Sequence, residues 1–334
     1  MKAFIKAISY YLPSRILSNK DLVKEFPEWS VDKIAGKIGV SERHISAPDE
    51  TAGDMAIQAA GLLFNEYAIQ PSWIDFILLC TQSPDYFLPT TACILQDRLG
   101  LPISAGALDY NLGCSGFVYG LAIAKGLIAG GIAKNILLIT SETYTKHIHS
   151  KDKGNRTIFG DAAAATLIST DGFAEIQNFS LGTDGKGANN LIIKTKGLRY
   201  PERLKDLIFD EEENPISSDH LFMNGSEIFS FSIEAVPILV QDTLKRNNLN
   251  QEQIDLFVFH QANKYMMNFL RKKIKIEEDK FYCYLEKVGN TVSSTIPIAL
   301  KEAQKENKLR GNVLLAGFGV GYSWAGTVLK ISNV

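Results

Sequence analysis

The sequence predicts a layered α/β protein built by internal duplication, and three observations carry that prediction. An apolar strand pattern at residues 74–81 (IDFILLCT) returns at 254–261 (IDLFVFHQ), 180 positions later, and a second at 135–139 (NILLI) returns at 312–316 (NVLLA), 177 positions later. Between the echoed strands each half carries a helical periodicity, at 116–129 and at 294–307. A further helix precedes each first strand, at 54–67 and 230–247, so each half reads helix, strand, helix, strand. That alternation implies sheets interleaved with helices. The halves divide near Asp171-Gly172, giving units 1–171 and 172–334 related by a pseudo-two-fold axis. The stretch 182–219, rich in Gly, Pro and charge, reads as a cap inserted into the second half, and its run Asp210-Glu211-Glu212-Glu213 reads as solvated surface.

Composition narrows the function classes. With 334 residues, 46% hydrophobic and 22% charged, the chain has ordinary globular usage and enough length for a large core. The 35 Lys plus Arg and 37 Asp plus Glu leave no global basic field, so nucleic acid is not an expected partner. The N-terminus alternates rather than forming a signal-peptide core, and no apolar run approaches the roughly 20 residues of a membrane span. The expected location is the cytoplasm. Cys80, Cys93, Cys114 and Cys283 are scattered without a CxxC pair, which disfavours a zinc site or disulfide framework. Cys80 ends a strand, Cys93 sits in a helical stretch and Cys283 lies between aromatics, all reading as buried small hydrophobes.

Cys114 differs. It follows the apolar segment 105–110 and precedes the helix starting near Gly116, a strand–turn–helix arrangement that presents a nucleophile above a sheet. A helix N-terminus favours thiolate, and Gly113, Ser115 and Gly116 leave room for a thioester. The alternative is a structural cysteine. His260 ends the echoed strand of the second half, where open α/β sheets bind ligands, and runs into Gln261-Ala262-Asn263. Asn290, in Val288-Gly289-Asn290-Thr291, occupies the place that corresponds to Gly113-Cys114 at the 177 offset; alone it would be read as a turn. His147 and His149 form a surface-looking His-x-His without a third ligand, and His44 and His220 stand alone. The segment Gly317-Phe318-Gly319-Val320-Gly321 has Trp324 where a dinucleotide fingerprint needs its third glycine, so it reads as a tight loop offering an amide to an oxyanion.

The segments Asn111-Leu112-Gly113-Cys114-Ser115-Gly116-Phe117, Phe259-His260-Gln261-Ala262-Asn263 and Gly289-Asn290-Thr291 resemble the three signatures of the β-ketoacyl-acyl-carrier-protein synthase III family, condensing enzymes of the thiolase superfamily. Phe159-Gly160-Asp161 and the closing segment 317–324 extend the resemblance nearly end to end. It implies a thiolase-like five-layer αβαβα fold, a homodimer, no metal or redox cofactor, and a catalytic set of Cys114, His260 and Asn290. It further implies an oxyanion hole from the backbone amides of Cys114 and Val320. No cysteine stands in the closing loop, unlike thiolases, and the His and Asn pair fits type III rather than elongating synthases.

The same resemblance places coenzyme A on Trp29, with Lys37 and Lys153 where arginines are usual; lysine keeps the charge and loses the planar fork. It lines the acyl pocket with Leu88, Phe159, Met223 and Phe229, Leu88 being near a partner-subunit gate position. It docks an acidic acyl carrier protein on Lys264, Arg271, Lys272 and Lys273, extended by Lys275; the plain alternative is a solvated helix face. The implied reaction joins an acyl thioester, on coenzyme A or a carrier, to malonyl-acyl-carrier protein with loss of carbon dioxide, in fatty acid or related lipid or polyketide synthesis. One alternative keeps the fold but uses a non-standard acceptor in specialised metabolism. A papain-like protease also orders Cys, His, Asn, but its Cys-Gly-Ser-Cys-Trp context and disulfides are missing.

Overall fold

The structure is a computed structural model that describes residues 1–211 and 213–332. The first half contains β1 (Phe4–Tyr11), β2 (Arg15–Ser18), α1 (Asn19–Glu25), α2 (Val31–Ile38), β3 (Glu42–Ile45), α3 (Ala52–Tyr67), β4 (Phe76–Cys80), α4 (Thr91–Arg98), β5 (Gly106–Tyr110), α5 (Gly116–Ala129), β6 (Ile136–Glu142), α6 (Lys153–Ile158) and β7 (Ala162–Ser169). The second contains β8 (Ala174–Thr183), the short β9 (Leu191–Ile192), β10 (Ile208–Phe209), β11 (Pro215–Ile216) and β12 (Phe222–Met223), then α7 (Gly225–Arg246), β13 (Leu256–Phe259), α8 (Lys264–Ile274), α9 (Thr295–Lys305), β14 (Asn312–Gly319) and β15 (Ser323–Ile331).

The main strands run in the order β13-β14-β15-β8-β1-β7-β6-β4-β5. Strands β1 and β8 touch only through Phe4↔Glu175 and Ile5↔Ala174, so two sheets meet at this narrow seam. Register preserves the duplication. Parallel pairing sets Phe76 against Ile136 in the first sheet and Leu256 against Val313 in the second, the same two residues displaced by 180 and 177 positions.

Side-chain alternation then makes the layers, because successive strand residues face opposite sides. In β6, Leu137 and Ile139 join a core with α3, whereas Ile136 and Leu138 join a second core that contains Phe117 and Leu121 of α5 and Ile296 and Leu300 of α9. From the other side, Leu256, Val258, Val313 and Leu315 enter that same central core. Their neighbours Phe257, Phe259, Leu314 and Ala316 pack outward against Phe231, Leu239 and Leu244 of α7. Helix, sheet, central helix pair, sheet and helix are thus five layers, the thiolase-like αβαβα arrangement.

Helix starts follow local chemistry. Thr51 and Asp54 form a reciprocal capping box that opens α3. Helix α7 begins five residues before the expected position 230 because Asn224 accepts the amide of Glu227 and caps it there. The 182–219 stretch is the expected cap, organised around Asp219, which accepts Leu204 N–H and Lys205 N–H, each at 2.9 Å. Asp210, Glu211 and Glu213 are exposed, and Glu212 lies outside the described residues. Two cysteine expectations fail: Cys93 and Cys283 are exposed. Cys93 falls on the outward face of the short α4, and Cys283 follows the buried Tyr282 in a connecting segment, where alternation turns it outward.

Leu138 lies fully buried in the central core. Replacing it with Ala should remove about 2–5 kcal/mol of stability, read as a lower urea midpoint at an unchanged denaturant slope.

Candidate active site

Cys114 sits in the turn between β5 and α5, 6% exposed. Ser115, the residue before α5, makes no capping bond; its hydroxyl pairs with Ser323 Oγ at 2.6 Å, joining this turn to β15. The closing loop presses directly on the thiol. A Cβ on Gly319 would stand 2.8 Å from Cys114 Cβ and 2.9 Å from its Sγ, and one on Gly317 would stand 2.9 Å from the Cys114 carbonyl oxygen. Only glycine fits at either place.

His260 leaves the end of β13, its N–H donating to Ala316 O at 2.8 Å. Its Nδ1 is 2.8 Å from Thr295 Oγ1, and its ring meets Phe318 edge-on at 5.7 Å. Asn290 is held by backbone from the first half: Asn290 N–H donates to Ile158 O at 2.9 Å and Gly160 N–H to Asn290 O at 3.0 Å. Its Oδ1 accepts Val292 N–H at 2.9 Å, which leaves the amide NH2 for a ligand. The loop closes through Gly289 at φ +68, where a Cβ would meet Ile158 O at 2.8 Å. Beneath it lies the fully buried Arg43, whose guanidinium donates to Thr157 O and Asn19 Oδ1.

One cavity of about 150 Å³ is lined by Cys114, His260 and Asn290 together, with apolar walls from Phe159, Met223, Ile228, Met266 and Phe318. Desolvation holds its titratable groups neutral. Burial pushes the Cys114 thiol up to about 12, against the opposing pull of the Val320 and Cys114 amides. Burial likewise pushes His260 down to about 3 and raises the Glu142 carboxyl well above its usual range. The expected thiolate does not prevail in the unliganded site, because losing water costs the charged form more than these amides return.

The remaining expected residues divide. Phe159 and Met223 line the cavity, but Phe229 does not: its ring packs on Tyr265 and Phe269 across α7 and α8. Leu88 is 78% exposed beside Tyr86 and Phe87, outside the cavity of its own chain. Trp29 is half-buried, and the cation at its ring is Lys33, 5.6 Å from the centroid, a residue the sequence reading passed over; the Trp-x-x-x-Lys spacing was the available signal. Lys153 pairs with Glu28 next to Trp29. Lys37 lies a turn further along α2 and lines a separate groove with Lys264 and Lys272. Lys272 and Lys273 are exposed, whereas Arg271 turns inward to Ile276 O and Glu278. His147 and His149 are half-buried rather than superficial, and His149 stacks edge-on against His220 at 4.8 Å. Among the described residues no group of three or more His, Cys, Asp or Glu is placed to hold a metal ion, and no helix is long and apolar enough to cross a membrane.

Comparison with known proteins adds the following. Residues 108–185 match the family 3-oxoacyl-[acyl-carrier-protein] synthase III, and residues 244–331 match its C-terminal counterpart. The chain is 36% identical over 327 residues to the β-ketoacyl-[acyl-carrier-protein] synthase III of Caldanaerobacter subterraneus subsp. tengcongensis, covering 97% of this chain and 96% of that protein. A crystal structure of a 3-oxoacyl-(acyl-carrier-protein) synthase III superposes with a TM-score of 0.97 at 47% identity, covering 99% of this chain and all of the other. The 3-oxoacyl-(acyl-carrier protein) synthase of Burkholderia xenovorans LB400 superposes at 0.91 with 35% identity, over 99% and 95% of the two chains.

A thiol held near 12 sets a test in solution. In the unliganded protein the rate of Cys114 alkylation by iodoacetamide should rise about tenfold per pH unit through pH 10. A plateau reached near pH 7 would mean that the thiolate already dominates.

Proposed function

The chain belongs to the β-ketoacyl-[acyl-carrier-protein] synthase III family, and from that premise we propose how its residues divide the reaction. The activity is that of an acyltransferase in fatty acid biosynthesis: decarboxylative condensation of an acyl thioester with malonyl-acyl-carrier protein. The observation that carries our assignment of residues is the convergence of Cys114, His260 and Asn290 on one cavity.

In the first half-reaction Cys114 Sγ attacks the thioester carbonyl of the acyl donor. The new C–S bond forms, the old one breaks, and the thiol proton ends on the departing thiol. The amides of Cys114 and Val320, already directed at the sulfur, are the donors for the oxyanion of this step. In the second half-reaction the malonyl C–CO₂ bond breaks and its electron pair becomes an enolate. His260 and the Asn290 NH2 donate to the enolate oxygen, and the enolate carbon attacks the Cys114 thioester and expels the Cys114 thiolate, which takes a proton from water to return to the thiol. An apolar, water-poor cavity strengthens these bonds and keeps the enolate from taking a proton.

We propose coenzyme A as the carrier of the acyl donor, with its adenine on Trp29 between Lys33 and Lys153. The acyl carrier protein, in turn, docks on Lys264, Lys272 and Lys273. Lys37 lines one groove with Lys264 and Lys272, which supports reading it as part of the docking face rather than of the coenzyme A site. The molecule acts as a cytoplasmic homodimer. The edge strand β5 and the exposed run Tyr86, Phe87 and Leu88 support that assembly, with Leu88 reaching the neighbouring subunit's acyl pocket. Units 1–171 and 172–334 are the duplicated halves, the first supplying the nucleophile and the second the two donors.

Intact-protein mass spectrometry tests the assignment. Wild type exposed to acyl-coenzyme A should gain one acyl mass and lose it as β-ketoacyl product on a malonyl-carrier chase, and Cys114→Ala should gain none. His260→Ala and Asn290→Ala should still acylate but condense slower by about 10²-fold, the usual effect of losing one oxyanion donor. An alanine variant at 114 that acylates as wild type does would remove Cys114 from its role. Reversing Lys272 and Lys273 to Glu should raise KM for malonyl-carrier while leaving acylation by acyl-coenzyme A unchanged; an unchanged KM would remove the docking face.

A further inference from the structure

The imidazole of His260 has one nitrogen committed inside the protein and one left for the cavity. Nδ1 lies 2.8 Å from Thr295 Oγ1, and that oxygen lies 3.1 Å from the carbonyl of Val292. A threonine hydroxyl carries a single hydrogen, so it serves one of these two acceptors at a time. If it points to Nδ1, the neutral ring must carry its proton on Nε2 and donate into the cavity. If it points to Val292 O, Nδ1–H donates to the hydroxyl, or to the Val292 carbonyl that also lies within reach of the ring, and Nε2 presents a lone pair, which repels an enolate oxygen.

We infer that Thr295 is a positioning residue that selects the tautomer of His260, its hydroxyl donating to Nδ1 so that Nε2–H faces the malonyl thioester. The site is built to hold this hydroxyl still. Thr295 and His260 are 3% and 2% exposed, so water does not compete for the bond. Thr295 is the first residue of α9, where the helix fixes its backbone. Val292, the alternative acceptor, has φ +55, a left-handed conformation unusual for a β-branched residue. That strained geometry sends its N–H to Asn290 Oδ1 and its carbonyl toward Thr295. One three-residue 3₁₀ turn therefore orients both proposed enolate donors, Asn290 directly and His260 through Thr295. Strain of this kind persists where surrounding structure over-determines it, and it clusters at working sites.

The inference rests on His260 being an enolate donor, and the experiment separates the two claims. Thr295→Val keeps the shape and removes the hydroxyl; Thr295→Ser keeps the hydroxyl. Pre-acylated enzyme is mixed with malonyl-carrier for a single turnover, and Cys114 acylation is timed separately by intact mass. Thr295→Val should slow condensation by about 10- to 100-fold while acylation stays within about threefold, and Thr295→Ser should restore condensation to within about threefold of wild type. In ¹⁵N-histidine-labelled wild type, with His260→Ala identifying the signal, the protonated nitrogen should be Nε2. Condensation unaffected by Thr295→Val, both half-reactions falling together, failure of the serine variant to restore, or a wild-type proton on Nδ1 would each overturn the inference. Unchanged condensation in His260→Ala would overturn the parent assignment and this one with it.

Discussion

Everything at this site depends on how closely two turns approach one another. The end of β14 lies against the Cys114 turn with no room for a side chain at Gly317 or Gly319. Ser115 and Ser323 share a hydrogen bond across the same contact. Because the two sheets meet at a narrow seam and enclose α5 and α9, the strand ends of both halves arrive at one place. Cys114 comes from the first half and His260 and Asn290 from the second, and neither half alone has a complete cavity.

Burial explains the electrostatic character of the cavity. A thiol raised to about 12, an imidazole lowered to about 3 and, behind the cavity, the Glu142 carboxyl pushed well above its usual range are three results of one cause, the loss of water. With formal charges suppressed, the directional groups are the Val320 and Cys114 amides, the Asn290 amide and the imidazole of His260. Such donors act more strongly in a dry site and need no reorganisation when charge develops on the substrate. The arrangement suits a reaction whose intermediates are oxyanions, and it makes the direction of a single hydroxyl hydrogen, that of Thr295, consequential.

The elements that the sequence made legible are those with strong period and matched repeats. Helix α5 falls on the residues expected from periodicity, and the offsets 180 and 177 reappear as paired register between β4 and β6 and between β13 and β14. Cys114 and His260 were legible because each follows a strand, β5 or β13, whereas Asn290 lies in a loop before a 3₁₀ turn and was legible only through its 177-residue offset from Gly113. Less legible were residues whose role depends on side-chain direction. Lys33 rather than Lys37 reaches the Trp29 ring, Arg271 folds back on its own segment, and Phe229 faces α8 instead of the cavity. Arg43 gave no sequence signal at all, since its charge suggests surface while its guanidinium is spent on carbonyls beneath the Asn290 loop.

The sequence by itself determined the layered fold, the duplication and the three residues Cys114, His260 and Asn290 that share one cavity, because hydrophobic period and residue chemistry are local properties. The tertiary structure alone decided protonation and reach. Cys114 was expected as a thiolate from its helix start, yet desolvation by residues far away in the chain outweighs that local effect. Likewise the hydrogen bond between His260 and Thr295, 35 residues apart, exists only once the second half has folded, and the bridge from Asn290 to Ile158 and Gly160 only once the two halves have closed. Spacing along the chain fixes which residues are present at a turn, whereas their charge state and orientation follow from whatever packs against them.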